Sequence, residues 1–379
     1  MPRETYAAAR TVSQRVHAYF ERRRVEADSY SQEHLASIPE AETIEAVIDV
    51  AFWASLRREE GYMPRISLAF LSPAEAVHPL LFERPLPLDP AILTRVAPAV
   101  ERPGIHLGVW RNGDGLCVWG TSRAIPKLCF VLEVAAPGLL VIKHHSGEEA
   151  GKFVNVAVLE GDQIKVVDEH ALNLPDCPAL LTSLMGFDSP TSWAHSVNVL
   201  VQLAVSMRAH GRGGGLLVVP AGVESWRESI VQPMPYAVSP AFCELAQLSQ
   251  EVPEGKRRRV WQEELGRTIE GVAGLTAVDG AVVLTDRYEL LGFGAKIIRR
   301  KGWAQVEQVS VTEPIEGTAA MLAHPEQLGG TRHLSAAQFV HDQRDAVALV
   351  ASQDGRFTIF EWSPCEATVR AHRIEALLL

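Results

Sequence analysis

The chain has few cysteines, no long apolar run and no excess of positive charge. Its five cysteines are Cys117, Cys129, Cys177, Cys243 and Cys365. None stands at Cys-x-x-Cys spacing and the number is odd. This argues against a disulfide framework or a cysteine zinc site and suits reduced thiols. No apolar stretch approaches the ~18 residues of a membrane span. The longest candidate, 216–223, contains Pro220 and Gly222. Residues 1–17 are polar and amphipathic, without the apolar block of a signal peptide, so a cytoplasmic protein with no membrane partner is expected. Lys and Arg number 36 against 46 Asp and Glu, a formal charge of −10. Binders of nucleic-acid polymers need a basic surface, so that class is disfavoured. A small anion in a local basic pocket is still allowed.

What is present is an ordinary globular balance: 379 residues, 47% apolar and 22% charged, which rules out long disorder. At roughly 150 residues per domain, two or three domains are expected. Residues 4–24 lack Gly and Pro, and 43–60 carry Ile44, Val47, Ile48, Ala51, Phe52 and Leu56 at helical steps, so both segments read as helices. A short strand is predicted at 66–71, then a proline-rich connection with Pro79, Pro85, Pro87 and Pro90. A β-rich meander comes next, with strands at 105–110, 116–119, 128–134, 139–143, 153–159 and 163–167. Asn112-Gly113-Asp114-Gly115 and Glu160-Gly161-Asp162 are its hairpin signals.

Composition changes near 175–190, and the domain boundary is predicted near 188. A helix is expected from Ser192, its N-cap, to Ala209, followed by a Gly-rich turn, 211–215, and a buried strand, 216–219. Helices at 240–250 and 257–272 precede strands at 277–284 and 289–298. An irregular stretch runs to Leu328, a helix covers 331–341, and strands at 346–352 and 357–362 close the order. The expected fold class is α/β: a mixed-sheet domain over 189–379, preceded by an α+β accessory domain over 1–188.

Two segments could carry chemistry. Asp279-Gly280-Ala281 opens an apolar strand. A carboxylate beside a residue without Cβ lets a ligand approach closely, and can hold Mg²⁺ or Mn²⁺ against phosphate oxygens. Gly329-Gly330-Thr331-Arg332-His333 opens a helix. Its first N–H groups form an anion site, to which Arg332 adds a cationic fork and His333 a second donor. Alone, Asp-Gly is usually a turn and Gly-Gly-Thr usually a cap. Order, spacing and context together suit a polyphosphate.

In these motifs the chain resembles the diadenylate cyclase (DAC) domains, which carry Asp-Gly-Ala on a strand and Arg-His-Arg at a helix start. The resemblance spans roughly residues 192–362 and includes the strand 215–219 and the closing turn at Ser352-Gln353-Asp354-Gly355. It implies a homo-oligomer in which two ATP molecules condense to cyclic di-AMP with release of pyrophosphate. It implies Asp279, Arg332 and His333 as catalytic residues, with Asp279 the metal ligand for Mg²⁺ or Mn²⁺. It implies a nucleotide pocket of Gly280, Ala281, Phe293, Gly294, Gly330, Thr331, Ser352 and Asp354, with Phe293 and Gly294 bordering the base. The chain departs from the pattern at Leu334, where the second Arg would stand, and at Gln353-Asp354, where glutamates are usual. The His210-Gly211 turn, the Gly330–His333 start and the β-rich N-terminal half also resemble the divergent DACNV branch, whose members are proposed nucleotide sensors in bacterial signalling and conflict systems.

Other features have plainer explanations. The run Lys256-Arg257-Arg258-Arg259 reads as a solvated helix start. Residues 211–215 lack the Lys-Ser/Thr of a P-loop. The basic run Arg299-Arg300-Lys301 reads as a solvated loop. Adjacent His144 and His145 point to opposite strand faces and share no ion. His195, Trp110, Trp119 and Trp193 read as packing residues. Two functions stay open: a cyclase, slightly preferred, and a catalytically silent sensor of ATP or a cyclic dinucleotide that acts on a protein effector. A scaffold with a vestigial pocket is the third.

Overall fold

The computed structural model describes residues 5–28, 35–59, 61–113, 115–145, 153–168, 199–251 and 257–379. They form two compact units, Met1–Val167 with Leu379, and Asp168–Leu378. The boundary near 188, the cap at Ser192, and Trp193 and His195 lie outside the described residues. The chain is mixed α/β, with one mixed sheet in each unit. Among the described residues no helix is long and apolar enough to cross a membrane.

The first unit runs α1 (Ala7–Asp28), α2 (Ala41–Ser55), β1 (Ile66–Phe70), β2 (Leu80–Pro87), α3 (Pro90–Val96), β3 (His106–Asn112), β4 (Gly115–Ser122), β5 (Phe130–Ala136), β6 (Leu139–His145), β7 (Phe153–Glu160) and β8 (Gln163–Val166). Both N-terminal helices are explained by their apolar stripes: Phe20 of α1 and Ile44 and Ile48 of α2 are fully buried in one core with Leu107, Leu132 and Ile142 of the sheet. The described strands are ordered β2-β4-β3-β1-β5-β6-β7-β8. The meander holds from β5 to β8. It fails before that, because β1 lies between β3 and β5 and runs parallel to β3. The proline-rich connection is itself partly a strand. β2 lies at the sheet edge, where Pro85 and Pro87 remove no needed ladder donor. Helix α3 is not expected from the apolar pattern; Asp89 caps it by accepting the Ala91 N–H at 2.8 Å, and Pro90 takes the first turn.

The second unit runs α4 (Val199–Ala209), β9 (Gly214–Val219), β10 (Tyr236–Phe242), α5 (Glu244–Gln250), α6 (Arg257–Leu275), β11 (Ala281–Thr285), β12 (Leu290–Ala295), β13 (Val309–Thr312), β14 (Met321–Ala323), α7 (Glu326–Gly329), α8 (Thr331–Asp342), β15 (Val347–Ala351), β16 (Phe357–Ser363) and β17 (Thr368–Arg373). The described strands are ordered β10-β12-β11-β9-β15-β16-β17-β13-β14. β9 and β11 are parallel, and β15 runs antiparallel to β9. Helix α8 packs on β9, β15, β16 and β17. Its Ala336, Phe339 and Val340 share a core with Leu217, Val283, Val350 and Phe360. Burial of each such large side chain is worth about 1.5–3 kcal/mol. Helix α4 packs on α6 and β15.

Several boundaries differ from expectation. Pro240 lies in edge strand β10, so the helix there starts only at Glu244. The strand expected from Ala277 starts at Ala281, because the Ala277 and Val278 N–H groups bond back to Gly274 and Leu275 and prolong the end of α6. The irregular stretch holds β13 and β14, and β17 comes after the last expected strand. Pattern alone underweights such short or edge strands.

Candidate functional site

A cleft of 710 Å³ opens in the second unit, and its lining comes from four strands, two helices and the turns beside them. Its floor is set by register. Ala295 of β12 pairs with Ala281 of β11, Ala281 with Gly215 of β9, and Gly215 with Val350 of β15. Small side chains in this row leave space above the sheet. One rim is the turn entering β11, with Asp279 and Gly280. The other is the start of α8, with Thr331, Arg332 and Ser335, and the turn after β15, with Ser352, Gln353 and Asp354.

Asp279 and Arg332 share this cleft. The Asp279 side chain is 90% exposed and its Oδ2 lies 2.5 Å from Lys296 Nζ. Its carboxyl is held below the usual carboxylate range, first by that Lys296 hydrogen bond, then by the Lys296 charge and, more weakly, the Arg332 charge. Lys296 comes directly after β12, which returns beside β11, so the hairpin brings the two residues together. Motif and composition do not disclose this partner. The signal that could is hairpin register: with Ala281 opposite Ala295, Gly280 falls opposite Lys296 and Asp279 one residue farther, within reach of a lysine side chain.

The N-cap of helix α8 is Gly330, whose φ is +82° and which offers no capping side chain. The His333 N–H turns back on the Gly330 carbonyl at 3.1 Å, whereas the N–H groups of Thr331 and Arg332 precede any intrahelical acceptor, so this end keeps donors and a partial positive charge. Arg332 stands there, with Nη1 2.9 Å from where a Cβ on Gly213 would lie. Gly213, at φ +70°, leaves room for the guanidinium.

Ala281, Thr331, Ser352 and Asp354 also line the cleft. Asp354 is held by Arg356, whose Nε is 3.3 Å from Oδ2 and whose backbone N–H donates to Oδ1 at 3.2 Å. Ser352 starts the turn that the Gly355 N–H closes on its carbonyl.

Four expected residues stand elsewhere. His333 is fully buried and absent from the lining. Its Nε2 meets Thr358 Oγ1 at 3.3 Å, and its ring sits edge-on to Phe360. Burial pushes its pKa down. One residue along a helix rotates the side chain by about 100°, which takes it from the cleft where Arg332 stands to the core. Phe293 stacks on Tyr236 with ring centroids 4.7 Å apart, outside the lining. Gly294 and Gly330 shape the backbone without lining the cleft. The reason for Gly280 also changes: a Cβ there would lie 2.6 Å from the Gly294 carbonyl oxygen, so its absence serves backbone packing first.

Among the described residues no three His, Cys, Asp or Glu side chains gather to hold a metal. Trp119 is buried with its Nε1–H donated to the Leu71 carbonyl, and Trp110 packs on Phe70, as packing residues do. His144 bonds Tyr19 while His145 meets Phe153, in keeping with opposite strand faces.

No curated protein matches the chain. The family match falls in the first unit, over part of the β-rich half counted toward the same branch in the sequence, and does not reach Asp279 or Arg332. Residues 33–123 match the model of DACNV, described as a probable sensor domain.

Proposed function

We propose that the protein is a nucleotide sensor, with the cleft of the second unit as its ligand site. The observation that carries this is the convergence of Arg332, Lys296 and the open start of α8 on one cleft. Cationic side chains and unbonded N–H groups around a pocket of this size suit a phosphate-bearing small molecule. The probable sensor description of the matched segment supports a binding role.

The cyclase reading rests on Asp279, an exposed carboxylate at the cleft rim. Three features favour binding over catalysis. Lys296 holds that carboxylate, His333 is buried, and Leu334 stands where a second arginine would complete the motif. Loss of one charge-assisted phosphate contact costs about 1.5–3 kcal/mol.

The test is incubation of the full chain with labelled ATP and Mn²⁺, followed by chromatography, beside thermal unfolding with ATP or cyclic di-AMP. The expected result is no dinucleotide product, together with a ligand-dependent rise in Tm that Arg332→Ala removes. Cyclic di-AMP formation abolished by Asp279→Asn would replace the sensor by the cyclase.

A further inference from the structure

The cleft holds a cation of its own where a divalent metal would be bound. Lys296 Nζ is 2.5 Å from Asp279 Oδ2. A Mg²⁺ ion on that carboxylate sits at about 2.1 Å from the oxygen, which brings it close to the ammonium group, and like charges at such range repel strongly. The second cleft carboxylate, Asp354, is engaged by Arg356 through both its guanidinium and its backbone N–H. Among the described residues no three His, Cys, Asp or Glu side chains gather, and each of the two cleft carboxylates is already paired with a cation. The donor set therefore does not fit a resident divalent ion.

The charge balance points the same way. The ionised lining residues are Asp279 and Asp354 against Lys296 and Arg332, so their formal charges cancel. Only the partial positive charge at the start of α8 remains. A triphosphate, which normally travels with Mg²⁺, brings several negative charges that this lining cannot neutralise. A phosphodiester brings one per phosphate and needs no metal.

Building on the nucleotide-binding reading above, we infer that Lys296 takes the place of the divalent ion and that the cleft selects a phosphodiester nucleotide, a cyclic dinucleotide being the fitting class. The ligand phosphate lies between the Lys296 ammonium, the Arg332 guanidinium and the first N–H groups of α8. Asp279 holds Lys296 and sets its position. Lys296 is a specificity-determining residue of the site.

The experiment is isothermal titration of the full chain with cyclic di-AMP, first in EDTA and then in Mg²⁺. Binding is expected in EDTA, with Mg²⁺ changing Kd by less than about threefold. In EDTA, Lys296→Met should weaken binding about tenfold or more while Lys296→Arg retains it. Lys296 is 47% exposed, so the Tm of both variants should match the parent. Binding of cyclic di-AMP that appears only with Mg²⁺ overturns the inference and leaves the nucleotide site standing. Unchanged binding in a folded Lys296→Met variant overturns it too. No binding of either cyclic di-AMP or ATP in any condition overturns the cleft reading itself, and this inference with it. The wild-type comparison decides metal dependence even if the Met variant fails to fold.

Discussion

Gly280 and Gly294 meet backbone to backbone: a Cβ on Gly280 would lie 2.6 Å from the Gly294 carbonyl oxygen and 2.8 Å from its Cα. Both carry positive φ, +113° and +70°. The contact closes the β11–β12 hairpin at its open end, where the Lys296 ammonium reaches the Asp279 carboxylate. Gly280→Ala should destabilise the chain by about 1–3 kcal/mol from backbone strain alone, with further loss from the clash. A lowered urea midpoint with weakened ligand binding is the expected outcome. An unchanged midpoint would show that the hairpin yields freely.

Arg332 and His333 are neighbours with opposite duties. Arg332 is exposed and faces the cleft, whereas His333 is fully buried beside Phe360. Arg332→Ala should leave Tm within about a degree of wild type and reduce nucleotide affinity by about 10- to 100-fold. His333→Ala should open a cavity between α8 and β16 and cost about 2–3 kcal/mol. Thermal scans with and without ligand separate the two. Equal loss of stability in both variants would contradict the division.

Gly213 makes room for the Arg332 guanidinium. Gly213→Val would force a branched side chain into a positive-φ position and against Nη1, which is 2.9 Å from even a bare Cβ. Nucleotide affinity should fall as in Arg332→Ala, and stability should fall as well. A crystal structure of the variant with Arg332 still in the cleft would refute the steric account.

The first unit should weaken in acid. His106 and His144 are buried, and burial pushes both from 6.5 down to about 4. His106 Nδ1 pairs with Ser67 Oγ at 2.7 Å, and His144 Nε2 with the Tyr19 hydroxyl at 3.1 Å. Between pH 6.5 and 4 the unfolded chain takes up protons that the folded chain refuses, so stability falls as pH falls through this window and levels off below it. Each histidine accounts for up to about 3 kcal/mol. Urea unfolding at stepped pH should show this slope, and His106→Asn should flatten it. A flat profile between pH 6.5 and 4 would mean that the rings are charged in the folded state.

Much of the site is legible in local pattern. The Asp-Gly before an apolar strand and the Gly-Gly-Thr before a helical run locate Asp279, Ala281, Thr331 and Arg332, because turn and cap chemistry depend on residues close in sequence. His333, taken from the helix-start motif, and Phe293, taken from the resemblance, stand outside the lining of the cleft, because which face of an element meets the cleft depends on what packs behind it. Thr358 and Phe360 lie behind His333, and Tyr236 covers Phe293.

By itself the sequence determined the kinds of element, the main hairpins, the two-part α/β character and the residue types fit for an anion. Those come from periodicity, turn residues and charge, which are properties of short windows. Only the tertiary structure decided that β1 lies between β3 and β5, that β15 runs beside β9 to bring Ser352 to the cleft, and that Lys296 meets Asp279. Strand order and ion pairing across a sheet depend on which distant surfaces bury each other, and no short window of the chain holds that information.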